Sequence, residues 1–227
     1  MNQKSNCIVI IGPSGVGKTT VAQIISNNLG FKHIDSDACK MFLYNNPVIN
    51  KDIKIKLKRA NKQTFKYCRR NIKHQKGLSI QEKRRLILKT YIVNRMTIQG
   101  SINIQFIKWI TNKVDRDFIL DLAPIHSIYS NKDKKEEFLK IMNKYEHIFY
   151  LVPSENIQES LDILRDRRTF EEEKDNIIQE EANKYFLETG FFKKIATNTI
   201  YTNNKNPNEI AEVLLEEYKN KKTEYEK

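Results

Sequence analysis

The pattern with the clearest chemistry lies near the start of the chain. Residues 12–19 read Gly-Pro-Ser-Gly-Val-Gly-Lys-Thr, which fits the spacing GxxxxGK[ST] in full. Glycines allow the backbone to curl so that successive N–H groups point at a phosphate, and a helix that starts there adds partial positive charge. The sequence therefore predicts a binding site for the phosphates of ATP.

The residues of this phosphate loop have separate predicted roles. Lys18 should bridge the β- and γ-phosphates, and the Thr19 hydroxyl should be a ligand of Mg²⁺. A glycine turn that arose by chance is the weaker interpretation, because a buried strand precedes the motif and an amphipathic helix follows it. The predicted nucleotide contacts of the loop are Gly12, Ser14, Gly15, Val16, Gly17, Lys18, Thr19 and Thr20.

Acidic residues follow two apolar runs that are typical of buried strands. Asp35 and Asp37 come after the first run and Asp121 after the second, where the carboxyl edge of an open α/β sheet binds its ligands. One acid of the first pair would hold Mg²⁺ through water, and the other would orient or deprotonate an acceptor hydroxyl. Asp121 could anchor the hydration shell of the metal. Asp37 also fits a helix cap, and Asp121 also fits an ordinary strand-end acid.

Arginines could stabilise charge on the transferred phosphoryl group. Arg165, Arg167 and Arg168 fall at the end of a predicted helix, before a charged stretch that predicts a short lid over about 166–176. Arg168 is our candidate for the catalytic arginine. Basic residues at a helix C-terminus also complement the helix dipole, and this alternative stays open.

The acceptor side is less well defined by the sequence. Helices rich in Lys and Arg are predicted from about 51 to 113, and a solvated helix face explains most of their charge. A pocket for an anionic acceptor explains a minority. The candidates for acceptor binding are Asp37, Arg69, Arg70, Arg95 and His126, the last being weak because a lone histidine is more often structural.

The elements that must position these residues alternate between strand and helix. This alternation predicts a parallel sheet covered by helices, built from residues 6–50 and 117–220, with 51–113 as an insertion. The charged tail after Tyr218 should fray. The predicted strands are 7–11, 31–34, 118–123, 147–152 and 199–202, and the predicted helices are 16–29, 132–145, 154–168, one through Tyr185, and one from Pro207.

The composition of the chain limits its domain count, its kinds of metal or disulfide site, and its partners. With 227 residues and 39% hydrophobic content, the chain suits one domain with insertions. Three scattered cysteines predict neither disulfides nor a zinc site. No signal sequence or membrane span is apparent, so we expect a cytoplasmic protein without a membrane partner. We expect it to be a monomer or a homodimer. The net charge of +12 leaves a nucleic-acid partner open without favouring one, because Lys is in large excess over Arg.

With these residues in hand, the chain resembles the shikimate kinase and gluconate kinase branch of the nucleoside-monophosphate-kinase-like P-loop family. The resemblance is strongest at GPSGVGKTT and FKHIDSD, and it returns at LDLAPIHSIYSN, HIFYLVPSENIQESLDILRDR and TIYTNNKNPNEIAEVLLEEY. It implies a three-layer fold around a five-stranded parallel sheet. By the same resemblance Arg167 would stack on the adenine, the turn at Asn206 and Pro207 would close its other side, Asp35 would act near Mg²⁺, and Asp37 near the acceptor hydroxyl.

The predicted function is an ATP- and Mg²⁺-dependent kinase that phosphorylates a hydroxyl or phosphate of a small molecule. The glycine run that follows the third strand of shikimate kinase is replaced here by Leu122-Ala123-Pro124-Ile125, so the acceptor is left open. Two alternatives also remain. One is a nucleoside, nucleotide or polynucleotide 5′-end kinase that uses the basic helices, and the other is an ATP-binding regulatory protein with little catalysis.

Overall fold

Five parallel strands form a single sheet in the computed structural model. The strands are β1 (Lys4–Ile11), β2 (Lys32–Asp35), β3 (Phe118–Leu122), β4 (Tyr145–Val152) and β5 (Asn198–Tyr201), and they lie in the order β2-β3-β1-β4-β5. The structure describes residues 4–37, 77–79, 82–83, 106–108, 110–114, 116–122, 132–167 and 173–225, together with positions 55, 62, 66, 86 and 104.

Strand β1 is central because its sequence is apolar on both faces. Residues 7–11 are at most 1% exposed, as expected of a strand covered by helices on each side of a parallel sheet. It pairs with β3 on one side and β4 on the other. All five strands run in one direction, so their carboxyl ends share an edge, and the predicted parallel sheet is confirmed.

Helices flank the sheet and supply the rest of the core. They are α1 (Lys18–Leu29), α2 (Lys132–Met142), α3 (Ile157–Asp166), α4 (Glu173–Glu188), α5 (Phe191–Ile195) and α6 (Pro207–Tyr225). Helix α1 packs against α6, and α3 packs against α4. In the part of the chain that is described, none of the helices combines the length and apolar character needed to cross a bilayer.

The end of the predicted insertion belongs to the core. Described residues between 104 and 113 are helical, and Ile104 and Ile107 are fully buried among the core side chains. The hydroxyl of Thr111 lies 2.6 Å from that of Tyr145 on β4, and burial raises the pKa of Tyr145 to about 12. The C-terminal end of the segment 51–113 is therefore packed into the core, although none of its described residues joins the sheet.

Two predicted boundaries differ from the structure. Helix α4 begins at Glu173, so it includes residues 173–176 of the predicted lid. Helix α6 continues to Tyr225, so the charged tail after Tyr218, which the sequence predicted to fray, is helical in the structure. Lys and Glu dominate this tail, and both are good helix formers, so its charge is compatible with a continued helix.

Candidate active site

The phosphate loop predicted from the sequence connects β1 to α1 at the carboxyl edge of the sheet. Gly12 lies so close to β4 that an added Cβ would be 2.4 Å from the backbone oxygen of Leu151. Gly17 has a φ of +94°, a left-handed conformation that residues with a Cβ rarely adopt. A larger residue at either position would therefore change the path of the loop.

The start of α1 lies directly after the loop and has no side-chain cap from its N-cap residue. Gly17 is the N-cap residue and supplies no side-chain cap, and the first turn contains no acidic residue. The first N–H groups of a helix have no partner within the helix, and the helix dipole adds partial positive charge there. A glycine-rich loop that leads into a helix N-terminus is a common binding site for anions such as phosphates.

Lys18 is the first residue of α1 and is 8% exposed. Its Nζ donates a hydrogen bond to the backbone oxygen of Pro13 over 3.0 Å. The side chain therefore curls back along the loop instead of extending into solvent. Its ammonium group lies against the predicted phosphate loop, and the role of bridging the β- and γ-phosphates stays a prediction.

Thr19 and Asp121 are brought together although 102 residues separate them in the chain. The Thr19 hydroxyl donates to Oδ2 of Asp121 over 2.5 Å. Asp121 lies on β3, and its register partner on the neighbouring strand β2 is Asp35. A hydroxyl and two acids from three elements thus lie near one another beside the phosphate loop, and their predicted roles at Mg²⁺ stay predictions.

The buried carboxyl group of Asp121 has a perturbed pKa. Burial raises this pKa above its ordinary value, and the nearby charge of Asp35 acts in the same direction. The positive charge of Lys18 and the hydrogen bond from Thr19 act in the opposite direction, and burial is the largest effect. Asp121 is only 3% exposed, so its ionised form would gain from a cation beside it.

Asp35 is the last residue of β2, and Asp37 lies two residues beyond it. Oδ1 of Asp35 accepts the backbone N–H of Asp37 over 2.7 Å, so Asp35 is the residue that caps this turn. The side chain of Asp37 is exposed at the carboxyl edge of the sheet. Asp35 therefore has a structural role in addition to its position beside Asp121.

An open cleft of about 660 Å³ lies at the end of α3. The guanidinium group of Arg167 donates from Nη1 to Oγ1 of Thr202 over 3.5 Å and from Nη2 to the Thr202 backbone oxygen over 3.4 Å. These bonds hold a planar cation at the cleft. The cleft is lined by Ile163, Asp166, Arg167, Asn203, Asn204, Lys205, Asn206 and Glu209.

The turn predicted at Asn206 and Pro207 contributes Asn206 to the lining of this cleft. Oδ1 of Asn206 accepts the N–H groups of Asn208 (2.9 Å) and Glu209 (3.1 Å), and Oε2 of Glu209 accepts the Asn206 N–H (2.7 Å). This reciprocal pair is a capping box, with Pro207 at the first helical position. The turn is therefore fixed by α6.

Sequence reasoning missed Asn183 on α4. Its side-chain amide bonds to both backbone groups of Ser14, with N–H to Oδ1 and Nδ2 to O distances of 3.0 Å each. A signal existed, because Asn183 shares the buried stripe of α4 with Ala182, Phe186 and Leu187. A buried polar side chain on an apolar stripe requires a partner.

Several predicted residues lie outside the described residues. They include the catalytic candidate in the lid and every basic acceptor-side candidate. These residues are Arg168, Arg69, Arg70, Arg95 and His126. Their predicted roles stay predictions.

Comparisons with known proteins give one family match and several similar folds. Residues 7–89 match the family model of the AAA domain, and this range contains the phosphate loop, Asp35 and Asp37. No curated protein matches the sequence.

Solved kinase structures have a similar fold. Shikimate kinase from Bacteroides thetaiotaomicron superposes with a TM-score of 0.53 at 12% identity, over 92% of this chain and 96% of that chain. Shikimate kinase from Aquifex aeolicus gives a TM-score of 0.47 at 14% identity (96% and 98% covered), and a gluconokinase from Sinorhizobium meliloti gives 0.45 at 12% (96% and 94%).

The first of these superpositions shows the fold. The chain has the α/β P-loop fold of that shikimate kinase, with a five-stranded parallel sheet flanked by helices. The fold that the resemblance to the shikimate and gluconate kinase branch implied is confirmed. At 12% identity, the similarity does not identify the acceptor, because one fold serves many substrates.

Proposed function

We propose that the protein is an ATP- and Mg²⁺-dependent kinase that transfers the γ-phosphate of ATP to a hydroxyl or phosphate group of a small molecule. The observation that carries this proposal is the hydrogen bond between Thr19 and Asp121 beside the phosphate loop. It joins the loop to a buried acid of a second strand, and Lys18 lies within the same site. Phosphoryl transfer depends mainly on such positioning and on charge neutralisation.

The loop would bind the phosphates through its backbone and Lys18. On binding, Nζ of Lys18 would exchange the Pro13 oxygen for phosphate oxygens, which are stronger acceptors because they are charged. The ammonium group is already nearly buried, so little further desolvation is needed. The N–H groups at the start of α1 would add donors that need no reorganisation.

The residues beside the loop fit a magnesium ion. Thr19 and Asp121 would hold it directly or through water, with Asp35 in support. Mg²⁺ is usually held by one or two carboxylates together with phosphates and water, and the described residues contain no larger cluster of His, Cys, Asp or Glu that could hold a metal. When bound, the ion would neutralise charge on the β- and γ-phosphates. Because burial raises the pKa of Asp121, a bound cation would stabilise the ionised form of this carboxyl group.

The adenine would occupy the cleft at the end of α3. Arg167 would stack on the base, because its guanidinium plane is held by Thr202 and planar cations stack on aromatic rings. The turn at Asn206 and Pro207 would face the other side of the base. The base would thus be held between elements that the capping box and the sheet keep in place.

Asp37 would act on the acceptor. Its side chain is exposed at the sheet edge, and its backbone is fixed by Asp35. A carboxylate in this position can orient an acceptor hydroxyl or accept its proton. The acceptor would be a small molecule, in keeping with the kinases that share the fold.

The experiment is ADP release from Mg-ATP with pools of sugar acids, nucleosides, nucleoside monophosphates, antibiotics and short RNA or DNA ends. We expect one pool to raise ADP release and Lys18→Ala to abolish the rise. Lys140→Ala is the matched control, because Lys140 is exposed in the last turn of α2, which leads to the opposite edge of the sheet. ATP binding without stimulation by any pool would contradict the kinase proposal.

A further inference from the structure

The amide of Asn183 and the backbone of Ser14 form a closed pair of hydrogen bonds. The Ser14 N–H donates to Oδ1 of Asn183, and Nδ2 of Asn183 donates to the Ser14 oxygen, each over 3.0 Å. The two residues are 169 positions apart in the chain, and Asn183 is only 3% exposed. Both polar atoms of this buried side chain therefore bind one backbone position of the phosphate loop.

A third hydrogen bond fixes the orientation of the Asn183 amide. Nε2 of Gln179, one helical turn earlier, donates to Oδ1 of Asn183 over 3.3 Å. Oδ1 therefore accepts two N–H groups, whereas Nδ2 faces a carbonyl oxygen. A flipped amide would place donors against donors, so the network permits only one arrangement.

Helix α4 is a firm support for this contact. Phe186, three residues after Asn183, is 1% exposed. Its ring stacks on Phe192 at 4.5 Å and on Tyr150 of β4 at 6.1 Å, between ring centroids. Helix α4 is therefore anchored to the sheet, and the position of Asn183 follows from that anchoring.

Ser14 lies where the phosphate loop turns away from β1. Both of its backbone hydrogen-bonding groups point toward Asn183, so neither is directed at the space in front of the loop. An anion bound in front of the loop would be contacted by the N–H groups that follow Ser14. Fixing the Ser14 peptide thus fixes the direction of the next turn, in which Gly15 has a φ of +91°.

The same helix also contacts α3, the helix at whose end the cleft lies. Nη2 of Arg165 on α3 lies 3.1 Å from Oε1 of Glu180 on α4, and Arg165 is two residues before Arg167. The pair is partly exposed and adds little stability by itself. Helix α4 therefore makes two contacts. Asn183 binds the phosphate loop, and Glu180 binds α3, the helix that ends just before Arg167.

We infer that Asn183 is a positioning residue that holds the phosphate loop in the conformation that binds ATP phosphates. The inference rests on the proposed function, because it requires that the loop bind those phosphates. Without the two bonds, the Ser14 peptide would sample other orientations, and ATP binding would have to restore the bound one. Preorganisation of this kind raises affinity by removing an ordering cost.

The test compares Asn183→Leu with wild type. Leucine has the same branched outline as asparagine, carries no polar side-chain atom and makes neither bond to Ser14. We expect the Kd for Mg-ATP and for inorganic tripolyphosphate to rise about tenfold, the effect of losing two ordinary hydrogen bonds. The Kd for adenosine should stay within about twofold, because Asn183 does not line the base cleft. Calorimetry at a temperature where each variant is folded measures all three.

Controls separate positioning from general stability. Asn198→Ala removes a side-chain bond of 2.6 Å to Glu217 at the far strand β5, and it should lower the melting temperature without changing any Kd. Asn183→Ala replaces the leucine variant if the latter does not fold. Asn183 variants that bind tripolyphosphate like wild type would overturn the inference if Lys18→Ala loses binding. If Lys18→Ala also binds like wild type, the proposed function fails with it.

Discussion

Replacing Thr19 with valine removes one hydroxyl and keeps the β-branched shape of the side chain. The hydroxyl donates to the carboxylate of Asp121 over 2.5 Å, and that carboxylate is 3% exposed. Because a hydrogen bond to a charged group contributes about 1.5–3 kcal/mol, we expect Thr19→Val to lower the free energy of unfolding by about that amount. In a chain of this length this corresponds to a melting temperature about 3–12 °C lower.

The assay pairs thermal unfolding with a measurement of Mg²⁺-dependent ATP binding. Thr19→Ser is the matched control, since it keeps the hydroxyl and should stay within about 1 kcal/mol of wild type. Thr19→Val should also lose most of the gain in ATP affinity that Mg²⁺ provides, because the hydroxyl is the proposed ligand. If Thr19→Val unfolds at the same temperature as Thr19→Ser and keeps the Mg²⁺ effect, the geometry assigned to this site is wrong.

Three further predictions test neighbouring parts of the site. Gly12→Ala should lower the free energy of unfolding by about 1–3 kcal/mol in denaturant titrations, because its Cβ would meet the Leu151 oxygen at 2.4 Å; wild-type stability would contradict the close contact. Arg167→Ala should weaken ATP binding about 2- to 30-fold without affecting tripolyphosphate, and an equal loss for both ligands would exclude base stacking. Because burial raises the pKa of Asp121 in the folded protein, the folded state binds more protons between the ordinary and raised values, so stability falls as pH rises through that interval. Asp121→Asn should remove this part of the slope, and identical slopes from pH 4 to 8 would contradict it.

Much of the fold was predictable because its signals are local. The apolar run of β1, the glycine-rich motif and the alternation of strands with helices each depend on a few neighbouring residues. Boundaries were less certain. The α6 tail and the start of α4 are charged segments, in which helix propensity and solvation compete without an apolar pattern to decide.

The site was predictable where chemistry is encoded in one segment. The motif identified Lys18 and Thr19, and strand-end positions identified Asp35 and Asp121, which the register then places side by side. Asn183 was missed because its importance arises only from the approach of α4 to the loop, a contact between distant parts of the chain. The capping role of Asp35 likewise depends on the conformation of the turn that follows β2.

The central claim is tested most directly by following the γ-phosphate itself. ATP labelled at the γ-position is incubated with the purified protein, Mg²⁺ and the acceptor pool that most increases ADP release. Our account predicts label in an acceptor molecule, in proportion to ADP, with no transfer by Lys18→Ala and normal transfer by Lys140→Ala. Label found only in inorganic phosphate, or transfer that persists in Lys18→Ala, would contradict the claim that this loop catalyses phosphoryl transfer to a small molecule.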